Sequence, residues 1–434
     1  MSRSNRPALL GAALACVLAA GAQAAPPAAT PADARIVRGI AAKPAFRAAV
    51  KALEQEHDAW VANIIALTEI PAPPFKEAAR ATAYAEMFRK AGLTDVEIDA
   101  EGNVLGLRKG TRPGGKLVVV SAHLDTVFPE GTPVKVRRDG ERLYAPGVGD
   151  DSTGLATQLS LAKALDAAGI KTPDDILFVG TVGEEGLGDL RGVRHLFGTG
   201  KYKGRIRAFF SIDGTSDDGF TIGGVGSKRY RLTFSGPGGH SFGAFGLVNP
   251  LTALSQTVVD LYKIEVPKSP KTTYSASVVG GGTSVNAIPR EVWLEVDMRS
   301  ESAAELAKVE RAFLAAVDRA VAGENAARSI AEAPVKVDVK LVGDRPAGAT
   351  VADAEIVRLA TAAYQSEGIT PQMGSGSTDS NVAMSLGIPA LTIPRAADGG
   401  RGHSVDEWIG IGKEGSLKIR KLDLLTILAV AGYR

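Results

Sequence analysis

The sequence predicts an α/β protein in which a domain built on a mainly parallel sheet is interrupted by an inserted α+β domain. Three observations carry this. Short, wholly apolar strands alternate with helical stretches in the first half. Between residues 228 and 342 the strands change to polar/apolar alternation, and after about residue 350 the first style returns. Apolar strands suit a parallel sheet covered on both faces, whereas alternating strands suit an antiparallel sheet with one open face. In order, residues 46–69 and 76–91 carry helical spacing, Lys116 to Ala122 reads as a buried strand, and 152–167 is helical again. Asp175 to Val182 and Ala208 to Ile212 repeat the apolar strand. Lys228 to Phe234 and Glu291 to Asp297 alternate, as does Val335 to Val342 except at Leu341, with helices expected near 250–263 and 301–322 on one face. The expected boundaries are 45–226 and 343–434 for the first domain and 227–342 for the insert.

The 434 residues are 45% apolar and 23% charged, enough to build a core and unlike a disordered chain. Lys and Arg number 50 against 48 Asp and Glu, with no long basic stripe, which argues against nucleic acid as a partner. Arg3 and Arg6 precede an apolar run over residues 8–22 that ends at Ala22-Gln23-Ala24, the pattern of a signal peptide over residues 1–24. That run is shorter than the ~20 residues of a spanning helix, so the expectation is export to the periplasm or medium, with no transmembrane segment in the mature chain. Residues 25–44 are Ala/Pro-rich and read as a tether. The one cysteine, Cys16, lies in the leader, which removes disulfides and thiol catalysis from the mature protein.

The chemistry concentrates where strands end. Ser121-Ala-His123-Leu-Asp125 follows a buried strand, and residues 123 and 125 of an extended segment point the same way. Asp125 can then fix the imidazole of a metal-binding His123. Gly147-Val-Gly-Asp150-Asp151 leads into a helix, where an Asp is more often a simple cap. Glu184-Glu185 follows the next strand, Asp213 ends another, and His403 lies in the late loop Gly402-His403-Ser404. Singly, each has a bland reading as a cap or a solvated loop residue. Together, two histidines and three carboxylates at successive strand ends suit two zinc ions, provided one carboxylate bridges. Two Zn²⁺, three carboxylates and one hydroxide balance in charge, and cobalt or manganese suits the same donors.

These motifs resemble those of the M20 family of zinc aminoacyl and peptidyl hydrolases. H-x-D, G-x-x-D-D, E-E, the strand-end Asp and the final G-H-S occur in the family's order from about residue 50 onward. The resemblance implies that His123 and Asp213 bind one zinc, Glu185 and His403 the other, and that Asp150 bridges. It implies that Asp125 orients His123 and that Glu184 is the general base. The insert corresponds to the family's lid and dimerisation domain, which implies a homodimer. There His240 matches the histidine that polarises the scissile carbonyl, Asn286 a substrate-binding asparagine, and Arg299 the arginine that holds a substrate carboxylate. Gly376-Ser-Thr-Asp379 matches the glycine-rich G-T-D loop, with Ser377 inserted. Asp213, where several carboxypeptidase and deacylase members carry Glu, leans toward short peptides. The expected activity is that of a two-zinc exopeptidase or amidohydrolase on di- or tripeptides, with an N-acyl-amino-acid deacylase or a carboxypeptidase as alternatives. A rival motif is Gly239-His-Ser241-Phe-Gly243, a G-x-S-x-G elbow that could use Ser241 with Asp297 or Asp379 and His403. It leaves His123, Asp150, Glu184, Glu185 and Asp213 idle. A non-catalytic binding protein is disfavoured because the full ligand set and the base are present.

Overall fold

Leu117–His123 is buried at all seven positions and forms the middle of the central sheet. In the computed structural model, which describes residues 29–434, this strand pairs in parallel with Asp175–Thr181 on one side and Ile206–Gly214 on the other. Ala390–Pro394 adds a fourth parallel strand beside Ile206–Gly214. The sheet has nine strands, and antiparallel members such as Val104–Arg108 and Gly348–Ala349 lie toward its margins. One face is covered by a thick layer in which the helices Ser152–Ala167, Glu355–Ser366 and Lys413–Val430 bury Leu155, Tyr364 and Leu425. A thinner layer from Arg191–Gly198 and Ser380–Ser385 covers the other. Because every loop after a parallel strand emerges at the same edge, the fold sends four such loops to one place.

The Ala/Pro-rich stretch is not simply a tether. Pro31–Ala41 is a helix, and another runs from Pro44 to Gln55. Thr30 caps the first through a reciprocal pair with Asp33, and Pro31 sits where a missing N–H costs nothing. Val37 and Ile40 are fully buried in the main core, and Asp33 pairs with Arg358 at 3.2 Å. The abundant Ala and Pro diluted the apolar spacing and hid this helix. The leader, including Cys16, and residues 25–28 lie outside the described residues. The helical stretch read over 46–69 is two helices that meet at Glu56.

The insert is a four-stranded antiparallel sheet with the order Thr272–Gly281, Glu291–Ser300, Gly226–Ser235, Lys336–Arg345. Pro250–Leu261 and Ala303–Ala327 pack on the face formed by Val292, Leu294, Val296 and Met298. The opposite face carries Trp293, Glu295, Asp297 and Arg299, which is the alternation of a half-buried strand. The chain enters the insert at Gly226 and leaves it after Arg345, two positions that lie side by side across paired strands. A Cβ on Gly226 would stand 2.6 Å from the Ala347 nitrogen, so only glycine fits this crossing.

A small sheet of Arg137–Asp139, Arg142–Tyr144, Trp408–Gly410 and Gly399–Gly400 was not anticipated from the sequence. It ties the segment before Asp150 to the segment around His403. Among the described residues, no helix is long and apolar enough to cross a membrane.

Candidate active site

The four central parallel strands each deliver charged or ligating groups at their C-terminal ends. His123 closes the first, Glu184 and Glu185 follow Asp175–Thr181, Asp213 lies near the end of the third, and Arg395 follows Ala390–Pro394. Asp150 and His403 arrive from loops joined by the small sheet. His123 Nδ1 lies 3.0 Å from the Asp125 carbonyl oxygen, which can only accept, so Nδ1 carries the proton and Nε2 faces Asp150. Nε2 is 2.9 Å from Asp150 Oδ1 and 4.0 Å from Asp213 Oδ1. Asp150 Oδ2 lies 3.3 Å from His403 Nε2, and that nitrogen is 2.9 Å from Glu185 Oε1. Asp150 therefore stands between two groups of donors, one through each oxygen.

The Asp125 carboxylate lies beside His123, with Oδ1 3.6 Å from Nδ1, and it also organises the paired glutamates. It accepts from the backbone N–H of Glu184 at 3.0 Å and of Glu185 at 2.8 Å, while its own carbonyl meets His123. Asp151, buried behind Asp150, accepts from the backbone N–H of His123 at 3.0 Å and caps the helix at Gly154. Gly154 is required there, because a Cβ would lie 2.3 Å from the Ile212 carbonyl oxygen.

The electrostatics are those of a cation site. Burial and the nearby Asp150 charge push Asp213 up to about 7, and burial pushes Asp151 well above the usual carboxylate range. Burial likewise raises Glu184 well above that range against the pull of Arg345, with Glu185 adding to the rise. Hydrogen bonds to Asp150 and Glu185 hold His403 at about 10. Carboxylates crowded this closely cannot all stay ionised unless positive charge joins them. Ligand atoms of His123, Asp150 and Glu185 lie within 4.8 Å of one another, as do those of His123, Asp151 and Asp213. Nitrogen and oxygen donors at this spacing fit divalent transition metals.

Beside this cluster lies a cavity of about 300 Å³ whose lining includes Glu184, Asp213, Arg229, Arg299, Arg345 and Ser377. Arg299 lines it; its Nε donates to Asp297 Oδ2 at 2.7 Å, which leaves the terminal amino groups for another partner. His240 and Asn286 do not line the cavity. They sit together on the insert, where Gly239–His240 pairs with Ala287–Ile288 and Ser241 N donates to the Asn286 carbonyl. Ser241 is exposed after a two-residue strand of the insert, His403 is engaged with Glu185, and Asp297 with Arg229 and Arg299. The serine elbow thus lacks the geometry of a triad. Asp379 is buried, accepts from Thr181, and is raised by burial to about 6. His57 is half-buried beside Ser416, and His195 bonds Thr199, both away from the cluster.

Sequence reasoning missed four residues. Arg345 donates to Glu184 Oε1 at 3.0 Å and to Ser377 at 3.1 Å, and Arg395 contacts Asp150 and Asp213. Glu407 accepts from the backbone N–H groups of Gly147, Gly149 and Asp150 and so shapes the Asp150 loop. Arg229 donates to Asp297 and to the Gly186 carbonyl. Arg395 stands at a strand end as the candidate ligands do, but a guanidinium is not a metal ligand.

Residues 119–419 match the sequence profile of peptidase family M20/M25/M40. The chain belongs to this family. Carboxypeptidase G2 of Pseudomonas is 28% identical over 200 residues, 45% of this chain and 47% of that enzyme. The chain thus spans about half the length of the curated relatives it matches. Aminopeptidase PepT of Bacillus cereus superposes with a TM-score of 0.69 at 20% identity, covering 86% of this chain and 99% of that one. A dinuclear metal-binding peptidase of Bacillus subtilis superposes with a TM-score of 0.61 at 16% identity, over 86% and 98% of the two chains. This chain has the mainly parallel sheet and separate antiparallel lid of the family fold, with a cluster of candidate metal ligands at the sheet edge.

Proposed function

We propose that the protein is an exopeptidase of short peptides, hydrolysing the amide bond of a di- or tripeptide that carries a free carboxylate, with two zinc ions. The observation that carries this reading is the placement of Asp150 between His123 and Asp213 on one side and His403 and Glu185 on the other. Bound there, two divalent ions would polarise the amide carbonyl and make water acidic enough to attack at neutral pH. Arg345 occupies Glu184 Oε1, leaving Oε2 to take the proton of the attacking water and pass it to the leaving amine. The raised pKa of Glu184 suits a group that must hold and then release that proton. Arg299 receives the substrate carboxylate. The likeness to aminopeptidase PepT supports small peptides, and that to carboxypeptidase G2 supports the carboxylate requirement.

His240 and Asn286 fit a role in the site of a second copy. They sit among exposed apolar side chains, with Phe242 88% and Phe245 86% exposed, outside the cavity of their own chain. The outer strand of the lid also exposes Val278 and Val279. Twofold pairing through the lid would cover such an edge and bring His240 to the partner's scissile carbonyl. Export rests on Arg3, Arg6, the apolar run and Ala22-Gln23-Ala24, and N-terminal sequencing of the protein recovered from the periplasm or medium tests it.

The test of activity is a hydrolysis screen of di- and tripeptides, N-acyl amino acids and end-blocked versions of each, before and after metal stripping. Free-carboxylate peptides should be cleaved, chelator should abolish cleavage, zinc or cobalt should restore it, and Ser241→Ala should keep most of it. Full activity after verified metal removal overturns the reading. Preference for N-acyl amino acids moves it to the deacylase alternative.

A further inference from the structure

Arg395 places a buried cation inside the ligand cluster. Its Nη1 lies 2.5 Å from Asp213 Oδ1, 3.2 Å from the Asp213 carbonyl oxygen and 3.2 Å from Asp150 Oδ1. Only 8% of the residue is exposed. The two carboxylate oxygens it holds are those that, with His123 Nε2, make one half of the donor set. The other half, Asp150 Oδ2, His403 and Glu185, has no arginine or lysine hydrogen-bonded to it among the described residues. The halves therefore differ in charge, although their donor atoms are of the same kinds.

We infer that the two metal positions are unequal, and that Arg395 competes for the one formed by His123, Asp150 and Asp213. A divalent ion bound to the same oxygens as a guanidinium is repelled by it at short range and must share or displace it. The Asp150–Glu185–His403 position meets no such competitor and fills first. Room for the displaced side chain exists: a cavity of about 210 Å³ adjoins Arg395 and is lined by Gly149, Gly214, Gly399, Gly400 and Glu407. Gly149 leaves space between Arg395 Nε and Glu407 Oε1, and Glu407 supplies a carboxylate toward which the guanidinium can turn. Filling of the second position is then coupled to a movement of Arg395, so that the protein passes through a one-metal form as metal becomes available.

This inference rests on the two-metal reading, and its test separates the two. Full-length protein stripped with chelator is dialysed against Zn²⁺ buffered over a wide range of free concentration, and bound zinc is counted by elemental analysis. The wild type should take up one zinc per chain, then a second at a free concentration at least tenfold higher. Arg395→Ala should bring the second midpoint down at least tenfold and leave the first unchanged. Arg395→Gln, which keeps much of the side-chain volume and removes the charge, should do the same if the alanine variant fails to fold. Glu185→Gln should lose the zinc that fills first. Two zincs with one shared midpoint in the wild type, or an unmoved second midpoint in a folded Arg395 variant, overturns the inference and leaves the two-metal reading standing. Wild type that binds no zinc overturns both.

Discussion

Asp297 binds two arginines, accepting from Arg229 Nε at 3.0 Å and Arg299 Nε at 2.7 Å, and both guanidinium groups line the cavity. Two cations sharing one carboxylate leave a net positive charge, which would match the single carboxylate of the proposed substrate. Arg229→Ala should therefore raise KM about as much as Arg299→Ala does, on the order of 10-fold or more, with little change in kcat. Steady-state kinetics on free and C-terminally amidated substrates check this, and an effect confined to kcat would argue against a binding role. The paired glutamates divide differently. Glu184→Gln should retain bound metal yet lose roughly 10²-fold or more in kcat, whereas Glu185→Gln should lose metal as well. Equal metal loss in both would show that the two roles are wrongly assigned. The candidate ligands were legible because each stands within a few positions of a strand end or a glycine turn. Arg345 and Arg395 were not, because an arginine is not a metal ligand, so even the strand-end position of Arg395 gains meaning only when the fold supplies its carboxylates.

The elements that carry the site were readable where hydrophobic period and length agreed, as in Leu117–His123 and Ser152–Ala167. Pro31–Ala41 escaped because its core contacts come from few large residues, and the small sheet escaped because strands of two or three residues have no period to detect. That sheet matters to the chemistry, since it brings Glu407 to the backbone of the Asp150 loop. The last helix, Lys413–Val430, carries a different cost. Asp423 is buried on it, and its Oδ2 has no hydrogen-bond partner among the described residues. Burial raises its pKa well above the usual carboxylate range, so the folded chain keeps a proton that the unfolded chain releases. Stability from this group is complete below the unfolded pKa and falls as pH rises toward the folded one. Asp423→Asn should stabilise the protein by roughly 1–3 kcal/mol at pH 8 and by less at pH 5. Thermal unfolding of both proteins at the two pH values measures the difference, and a gain independent of pH would exclude this cause.

At the scale of the whole molecule, the separation of His240 from its own cavity makes assembly testable through activity. Glu184→Gln and His240→Ala, mixed under conditions that exchange subunits, should recover about a quarter of wild-type activity if His240 serves the partner's site. Half of the dimers are then mixed, and each mixed dimer has one complete site. No recovery in a proven mixed dimer assigns His240 elsewhere and leaves the metal ligands untouched. The path by which the chain leaves the lid has a mechanical consequence. Arg345 is the last residue of the lid's edge strand and holds both Oε1 and the carbonyl of Glu184. Arg345 thus clamps the end of the lid's exit strand to Glu184, so a displacement of that strand end would be felt at the Glu184 carboxylate through a single buried guanidinium.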